Sequence, residues 1–184
     1  ARLELALDHQ ALGVRALLDA AVDRVAPGRE GPAPRLHDIA RAGKPGQFVM
    51  VRMHEGAERI PLTLADHDAE RGTITLVVQA LGRSTAEMRD QYRVGDAFAD
   101  VVGPLGIPSE ITEVGHVVLV GGGLGVAPLF PQLRAFKQAG NRTTAIVGFR
   151  SAELAFWLDE LGAWADELVV CTDDGSLGRR GLVT

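Results

Sequence analysis

The stretch Gly121-Gly122-Gly123-Leu124-Gly125-Val126-Ala127-Pro128 follows an apolar run and opens a segment with helical spacing. Glycines let a backbone approach a phosphate closely and supply dihedrals closed to other residues. A helix that starts there offers free N–H groups and the positive end of its dipole. Pro128 suits a first turn, where no N–H is needed. Gly122, Gly123, Gly125, Val126 and Pro128 are therefore candidate phosphate-contacting positions. The turn departs from the common dinucleotide pattern, because reading G-x-G-x-x-G from Gly121 puts Val126 at the last glycine. A tight connection with no ligand is the alternative. Four glycines in the five positions 121–125 argue against it, since each costs backbone entropy without a packing return.

A second stretch, Thr172-Asp173-Asp174-Gly175-Ser176, follows the last apolar run. In an open α/β sheet, ligands sit outside the carboxyl ends of the strands, so this loop would face the glycine turn. Asp173 and Asp174 can hydrogen-bond a ribose or a carboxamide; an Asp-Gly turn with caps fits the same residues. His54 and His67 suit surface turns beside Glu55 and Asp66 better than catalysis. Phe156, Trp157 and Trp164 suit a core or an interface better than a stacking platform.

Two kinds of periodicity position these stretches. Up to about Ile111 the chain reads as short strands broken by turns. Arg2 to Asp8 alternates with period two, and Val14, Ala16 and Leu18 do so more weakly, although a helix over Leu12–Val25 competes there. The stretch from Pro27 to Pro34 is a loop by composition. Further strands are expected over Gln47–Met53, Arg59–Ala65, Thr73–Ala80 and Asp96–Val102, with a short helix over Thr85–Tyr92 capped by Ser84 or Thr85. From Gly115 the pattern becomes a strand (His116–Val120), a helix (Val126–Ala139, stopped by Gly140-Asn141), a second, buried strand (Thr143–Phe149), a helix (Ala152–Trp164) and a strand (Leu168–Cys171). That alternation implies a parallel sheet with right-handed crossovers. The expected fold is an antiparallel β-barrel over 1–112, with 1–43 divergent, then a partial doubly wound α/β domain over 113–184.

Composition narrows the function. With 184 residues, 46% of them hydrophobic, the chain can bury a real core. A net charge of −5 argues against a nucleic-acid partner. The one cysteine, Cys171, excludes a disulfide framework and a four-thiolate metal site within these residues. No apolar run is long enough for a membrane helix, and Arg2, Glu4 and Asp8 are unlike a signal peptide. A cytoplasmic location without membrane insertion is the expectation.

Taken together, five stretches resemble one branch of the ferredoxin-NADP reductase superfamily. They are Lys44 to Arg52 (KPGQFVMVR), Glu58 to Thr63 (ERIPLT), Gly103-Pro104-Leu105-Gly106, Val120 to Pro128, and Thr172 to Ser176. The branch holds the small subunit of NADH-dependent ferredoxin:NADP oxidoreductase, the sulfide dehydrogenase β subunit and the electron-transfer subunit of dihydroorotate dehydrogenase. Each stretch is weak alone; their order and spacing from about Gly43 are specific. The resemblance implies a barrel that holds FAD. Arg59 would contact the flavin phosphates, and Pro61, Leu62 and Thr63 would line the isoalloxazine ring. On residue chemistry alone, Arg59 reads better as a solvated strand residue and Pro61 as an edge-strand marker. Gly82-Arg83-Ser84-Thr85 matches the family's second flavin element, with Gly82, Ser84 and Thr85 at the pyrophosphate. The implied chemistry is hydride transfer between nicotinamide C4 and flavin N5, which needs positioning rather than a general acid or base. Electrons would then pass to an iron–sulfur centre or a larger partner subunit.

Three departures accompany the likeness. Family members continue for several dozen residues past the Thr-Asp-Asp-Gly-Ser loop and carry there four cysteines for a 2Fe-2S cluster. This sequence stops at Thr184, so the cluster and the last strands of the nucleotide domain are expected from a further segment. Asp23 to Ala40 looks inserted or divergent. Where NAD-specific folds place an acidic residue after the second strand, Gly148-Phe149-Arg150 stands instead. Arg150, like Arg179 and Arg180, can meet a 2′-phosphate, which tilts NAD(P)H slightly toward NADPH; solvated arginines beside Glu153 and Asp174 are the alternative. A non-catalytic electron-relay subunit and a nucleotide-binding module without flavin remain as rival functions.

Overall fold

A computed structural model describes residues 36–93 and 96–183. The strands expected over Arg2–Asp8 and Val14–Leu18, the competing helix over Leu12–Val25 and the loop at Pro27–Pro34 lie outside the described residues. The chain divides into two compact units, with the division between Pro108 and Ser109.

In the first unit, β1 (Phe48–Arg52), β2 (Arg59–Asp68), β3 (Thr73–Leu76) and β4 (Asp100–Leu105) form an antiparallel sheet in the order β3-β2-β1-β4. Alternation sends Val49 and Val51 of β1, Leu62 and Leu64 of β2, and Ile74 and Leu76 of β3 to one face. There they pack with Leu36 and Ile39 of α1 (Leu36–Ala42) and Met88 of α2 (Arg83–Gln91). The first of these helices falls in a stretch expected to be divergent. The β2–β3 turn runs against its His37: Gly72 has φ of +68°, and a Cβ there would stand 1.5 Å from Nδ1 of His37. Only glycine meets both demands.

The second helix starts earlier than expected. Gly82 is its N-cap, and Thr85, in its first turn, reaches back so that its hydroxyl accepts the N–H of Gly82 (3.0 Å). Thr85 therefore satisfies the cap backbone from inside the helix rather than standing at the cap.

In the second unit, β5 (His116–Gly122), β6 (Arg142–Phe149), β7 (Glu167–Thr172) and the short β8 (Arg179–Arg180) are parallel, in sequence order. The connection from β5 to β6 is α3 (Val126–Gln138), which buries Val126, Leu129, Phe130 and Leu133. Asn141 ties the C-terminal end of α3 to the segment that leads into β5: the side-chain oxygen accepts the N–H of Val114 (2.7 Å) and Gly115 (3.0 Å), and the amide donates to the carbonyls of Phe136 and Thr112. The apolar run of β5 is buried on one face only. Leu119 and Gly121 point inward, while Val118 and Val120 are each 52% exposed.

The helix expected over Ala152–Trp164 is split. A 3-10 turn (Ala152–Leu154) is followed by extended Ala155, and α4 (Leu158–Trp164) begins only after Trp157. Trp157 has left-handed dihedrals (φ 58°, ψ 26°), which cost a non-glycine residue about 1–3 kcal/mol. An aromatic chain offsets that cost. Trp157 is buried, with its ring 5.3 Å from Phe130 and 5.7 Å from Phe156, which meets Phe149 at 5.7 Å. Packing thus overrides helical periodicity at this point. Cys171 is buried in β7, as expected of a core thiol.

The antiparallel unit followed by a partial parallel α/β unit is the fold class expected. Among the described residues no helix is long and apolar enough to cross a membrane.

Candidate functional site

Strand register assembles the first site. Phe48 pairs with Thr63, Met50 with Pro61, and Arg52 with Arg59, while Arg52 also pairs with Asp100 across the other edge of β1. Directly paired residues share a face of the sheet. Phe48, Met50, Arg52, Arg59, Pro61, Thr63 and Asp100 therefore occupy the face opposite the core. Leu62 has the other parity: its side chain is buried in the core, so only its backbone can line a ligand.

The charged end of that face is already organised. Arg59 Nη1 lies 2.6 Å from Asp100 Oδ2, with the Arg59 side chain 44% exposed. Glu58, the residue before Arg59, accepts a hydrogen bond from Ser84 Oγ at 2.7 Å. That contact brings the start of α2, with Gly82, Ser84 and Thr85, to the start of β2. Two carboxylates thus stand against the two anion-binding elements, a guanidinium and a helix N-terminus. The Gly103-Pro104-Leu105-Gly106 stretch buttresses the other end. The Gly106 carbonyl accepts the side-chain amide of Gln47 (3.0 Å), and a Cβ on Gly106 would press on the Phe48 ring.

The residues present fit a flavin dinucleotide. Arg52 Nε is buried without a hydrogen-bond partner among the described residues, on the same face as Arg59. An orphaned buried donor in a folded protein calls for an acceptor.

Sequence reasoning overlooked Arg52, Asp100 and Glu58. The signal for Arg52 is its parity with Phe48 and Met50; nothing local marks the two acids. The histidines stand apart from this face in their bonding. His54 is on a turn as expected. Its ring nitrogens meet the carbonyl of Glu55 (2.9 Å) and the carboxylate of Glu87 (2.7 Å), which raise its pKa in that order of strength. His67 lies within β2 rather than on a surface turn, with a buried Nδ1. The long β2 runs through Asp68, and its pairing with β3 carries His67 into the sheet opposite Ile74.

The second candidate site lies at the carboxyl end of the parallel sheet. One row of the register joins Gly122, Gly148 and Cys171. The glycine turn after β5 and the acidic loop after β7 therefore leave the same edge, with β6 between them, about 10 Å apart by strand spacing. Within the turn the glycines divide the work. A Cβ on Gly121 would stand 2.9 Å from Leu129 Cδ1 and 3.2 Å from the Gly125 carbonyl, so this glycine seats α3 against β5. Gly123 has φ of +52°. Gly125, the N-cap of α3, has ordinary helical dihedrals, and nothing lies within 4 Å of a Cβ built on it. Nothing in the fold itself requires glycine at 125. The open space in front of a helix N-terminus fits a ligand phosphate brought against backbone N–H groups. Val126 is the first residue of α3, and Pro128 stands in its first turn.

In the acidic loop, Thr172 is committed to the loop: its hydroxyl donates to the Leu177 carbonyl (2.7 Å) and accepts the Leu177 N–H (3.0 Å). Asp174 accepts the Ser176 hydroxyl (2.6 Å) and the Ser176 N–H (2.9 Å), which lower its pKa in that order. Gly175 has φ of +78°, and the Arg180 stem lies against it. Asp173 is exposed at the loop's front, and Arg150 is exposed at the end of β6. Their backbones are linked, since the N–H of Asp173 bonds the Phe149 carbonyl and that of Asp174 the Arg150 carbonyl. Arg179 and Arg180, in β8, are also exposed.

The residues do not fit an iron–sulfur cluster. Among those described, no group of three or more His, Cys, Asp or Glu side chains could hold a metal ion, and the one thiol is buried in β7.

An antiparallel unit with an Arg-x-Pro-x-Thr strand, followed by a parallel unit with a glycine-rich first turn, defines the ferredoxin-reductase class of two-unit oxidoreductases. No protein-family model matches the chain. Individual proteins do. The chain is 47% identical over 146 residues to the dihydroorotate dehydrogenase B (NAD(+)) electron transfer subunit homolog of Thermotoga maritima, covering 79% of this chain and 51% of that protein. It is 35% identical over 165 residues to the dihydroorotate dehydrogenase B (NAD(+)) electron transfer subunit of Bacillus caldolyticus, covering 83% and 63%. A solved structure of NADH-dependent reduced ferredoxin-NADP oxidoreductase superposes with a TM-score of 0.74 at 45% identity, over 80% of this chain and 52% of that one. A ferredoxin reductase of carbazole 1,9a-dioxygenase, at 18% identity and a TM-score of 0.64, shares the fold. Over about four fifths of its length the chain is similar to these electron transfer subunits, and it has the fold of the ferredoxin-NADP reductase superfamily. It spans about half the length of the Thermotoga protein.

Proposed function

We propose that the protein is a flavin-dependent electron-transfer subunit that exchanges hydride between NAD(P)H and bound FAD and passes electrons to an iron–sulfur centre or a larger redox partner subunit. The observation that carries this reading is the shared face of Arg59, Pro61 and Thr63, in register with Arg52, Met50 and Phe48. When bound, the flavin supplies the capacity to accept a hydride and release electrons singly. The chain's residues bind and orient. Arg59 takes a flavin phosphate, Gly82, Ser84 and Thr85 offer the start of α2 to the diphosphate, and Pro61, Thr63 and the Leu62 backbone line the ring. Gly122, Gly123, Gly125, Val126 and Pro128 present backbone and open space to the nicotinamide dinucleotide. Asp173 has its carboxylate available for ribose or carboxamide; Thr172, Asp174 and Gly175 shape its loop. Arg150 is placed for a 2′-phosphate, and comparing KM for NADPH and NADH in Arg150→Ala tests that point.

The proposal is tested by the visible spectrum of the intact protein under anaerobic conditions. Flavin bands that bleach on adding NAD(P)H support it. Flavin bands that persist favour a non-catalytic relay subunit. A colourless protein that takes up no added FAD leaves a nucleotide-binding module.

A further inference from the structure

The row formed by Arg59, Arg52 and Asp100 is unusual for a sheet. Arg52 lies directly opposite Arg59 on one side and directly opposite Asp100 on the other. Like charges in directly paired positions destabilise a sheet. The carboxylate of the row meets one of its two cations: the Arg59–Asp100 pair, at 2.6 Å, reaches over the intervening strand β1 at the row of Arg52. Beneath it the Nε of Arg52 is buried without a hydrogen-bond partner among the described residues. A guanidinium cannot escape burial by losing its proton. The row therefore carries one more positive than negative charge and a buried donor that lacks an acceptor. Its complement is an anion with several acceptor oxygens, delivered to the face that bears Pro61 and Thr63.

We propose that Arg52 is a second phosphate-binding residue, sharing the diphosphate of the flavin dinucleotide with Arg59, and that Asp100 is a competing counter-ion which holds Arg59 when phosphate is absent. The inference rests on the reading that this face binds FAD, and it adds a residue which the Arg-x-Pro-x-Thr strand does not contain. Two forked guanidiniums match a diphosphate in charge and in geometry. Removing the Asp100 charge while keeping its shape frees Arg59 for the ligand.

Equilibrium binding of FAD and of riboflavin, which has no phosphate, to the intact protein separates the possibilities. Arg52→Gln weakens FAD at least about tenfold, the scale of a hydrogen bond to a charged group, and leaves riboflavin within about twofold. It also flattens the salt dependence of FAD binding, as loss of a phosphate contact requires. Arg52→Lys, which keeps the charge and loses the fork, falls between wild type and Gln, and serves if the Gln variant folds poorly. Asp100→Asn binds FAD more tightly than wild type. Arg52 variants that bind FAD as wild type does, or that lose FAD and riboflavin equally, overturn the assignment while leaving the flavin face intact. Wild-type protein that binds neither compound overturns the flavin reading itself, and this inference with it.

Discussion

Under the proposed function, the Arg59 face of the first unit and the glycine turn of the second would solve the same problem, holding a phosphate, by opposite means. On the face, charge would do the holding. Arg52, Arg59 and the start of α2 are fixed by strand register and by Ser84; Asp100 meets Arg59 and Glu58 meets Ser84, whereas the Nε of Arg52 is left without a hydrogen-bond partner among the described residues. In the turn there is no charged side chain. Space and backbone would do the holding, and Gly125 keeps that space open although the fold itself does not require glycine there. The difference teaches that a charge-based site is set by residues distant in sequence, whereas a backbone-based site is local. Salt and charge changes should act on the first, and added bulk on the second.

The largest effect is expected from Arg59→Ala. Loss of a charged hydrogen bond of about 1.5–3 kcal/mol corresponds to a roughly 10- to 100-fold weaker flavin, read as flavin retained per chain after gel filtration. Unchanged stoichiometry would sink the assignment. Thr63→Ala, on the same face, is expected to weaken retention by the smaller amount of one neutral hydrogen bond, about 1 kcal/mol.

Within the turn, two glycines sharpen the contrast. Gly125→Leu is expected to raise the KM for the nicotinamide dinucleotide by about tenfold or more (~1.4 kcal/mol), with the melting temperature nearly unchanged. Gly121→Ala should do the reverse. Its Cβ meets Leu129 and the Gly125 carbonyl, so about 1–2 kcal/mol of stability is lost by crowding, visible in thermal melts.

The smallest effect concerns acid stability in the second unit. The Lys137 ammonium (2.5 Å) and then the Thr143 N–H (2.8 Å) hold the Asp166 pKa down to about 2. A carboxyl whose pKa is depressed on folding stabilises the protein above its unfolded value and loses that contribution as pH falls toward the folded one. Asp166→Asn should therefore lower stability slightly at neutral pH and flatten the acid unfolding curve between about pH 4 and 2, measured by circular dichroism.

What the sequence disclosed follows the same division. The glycine turn and α3 were legible because their signals are local: an apolar strand, glycines, Pro128 in the first turn and a Gly140-Asn141 stop. The split before α4 was not, because it depends on Trp157 finding Phe130 and Phe156 in three dimensions. α1 was missed because its place depends on Leu36 and Ile39 packing on strands distant in sequence. Arg59 and Ser84 were reached through family likeness. Arg52, Glu58 and Asp100 were overlooked because their meaning arises only once β1, β2 and β4 are in register. Leu62, named with Pro61 and Thr63, faces the core by strand alternation, so a motif's neighbours do not all share its surface.

The most direct measurement is anaerobic reduction of bound flavin in wild type and in Gly125→Leu, followed by absorbance as NAD(P)H is added. Separate encoding of the two sites predicts equal flavin content in both proteins, with bleaching of the variant shifted to much higher nucleotide concentration. A variant that bleaches along the wild-type curve, or a wild-type protein whose flavin never bleaches, would contradict the account.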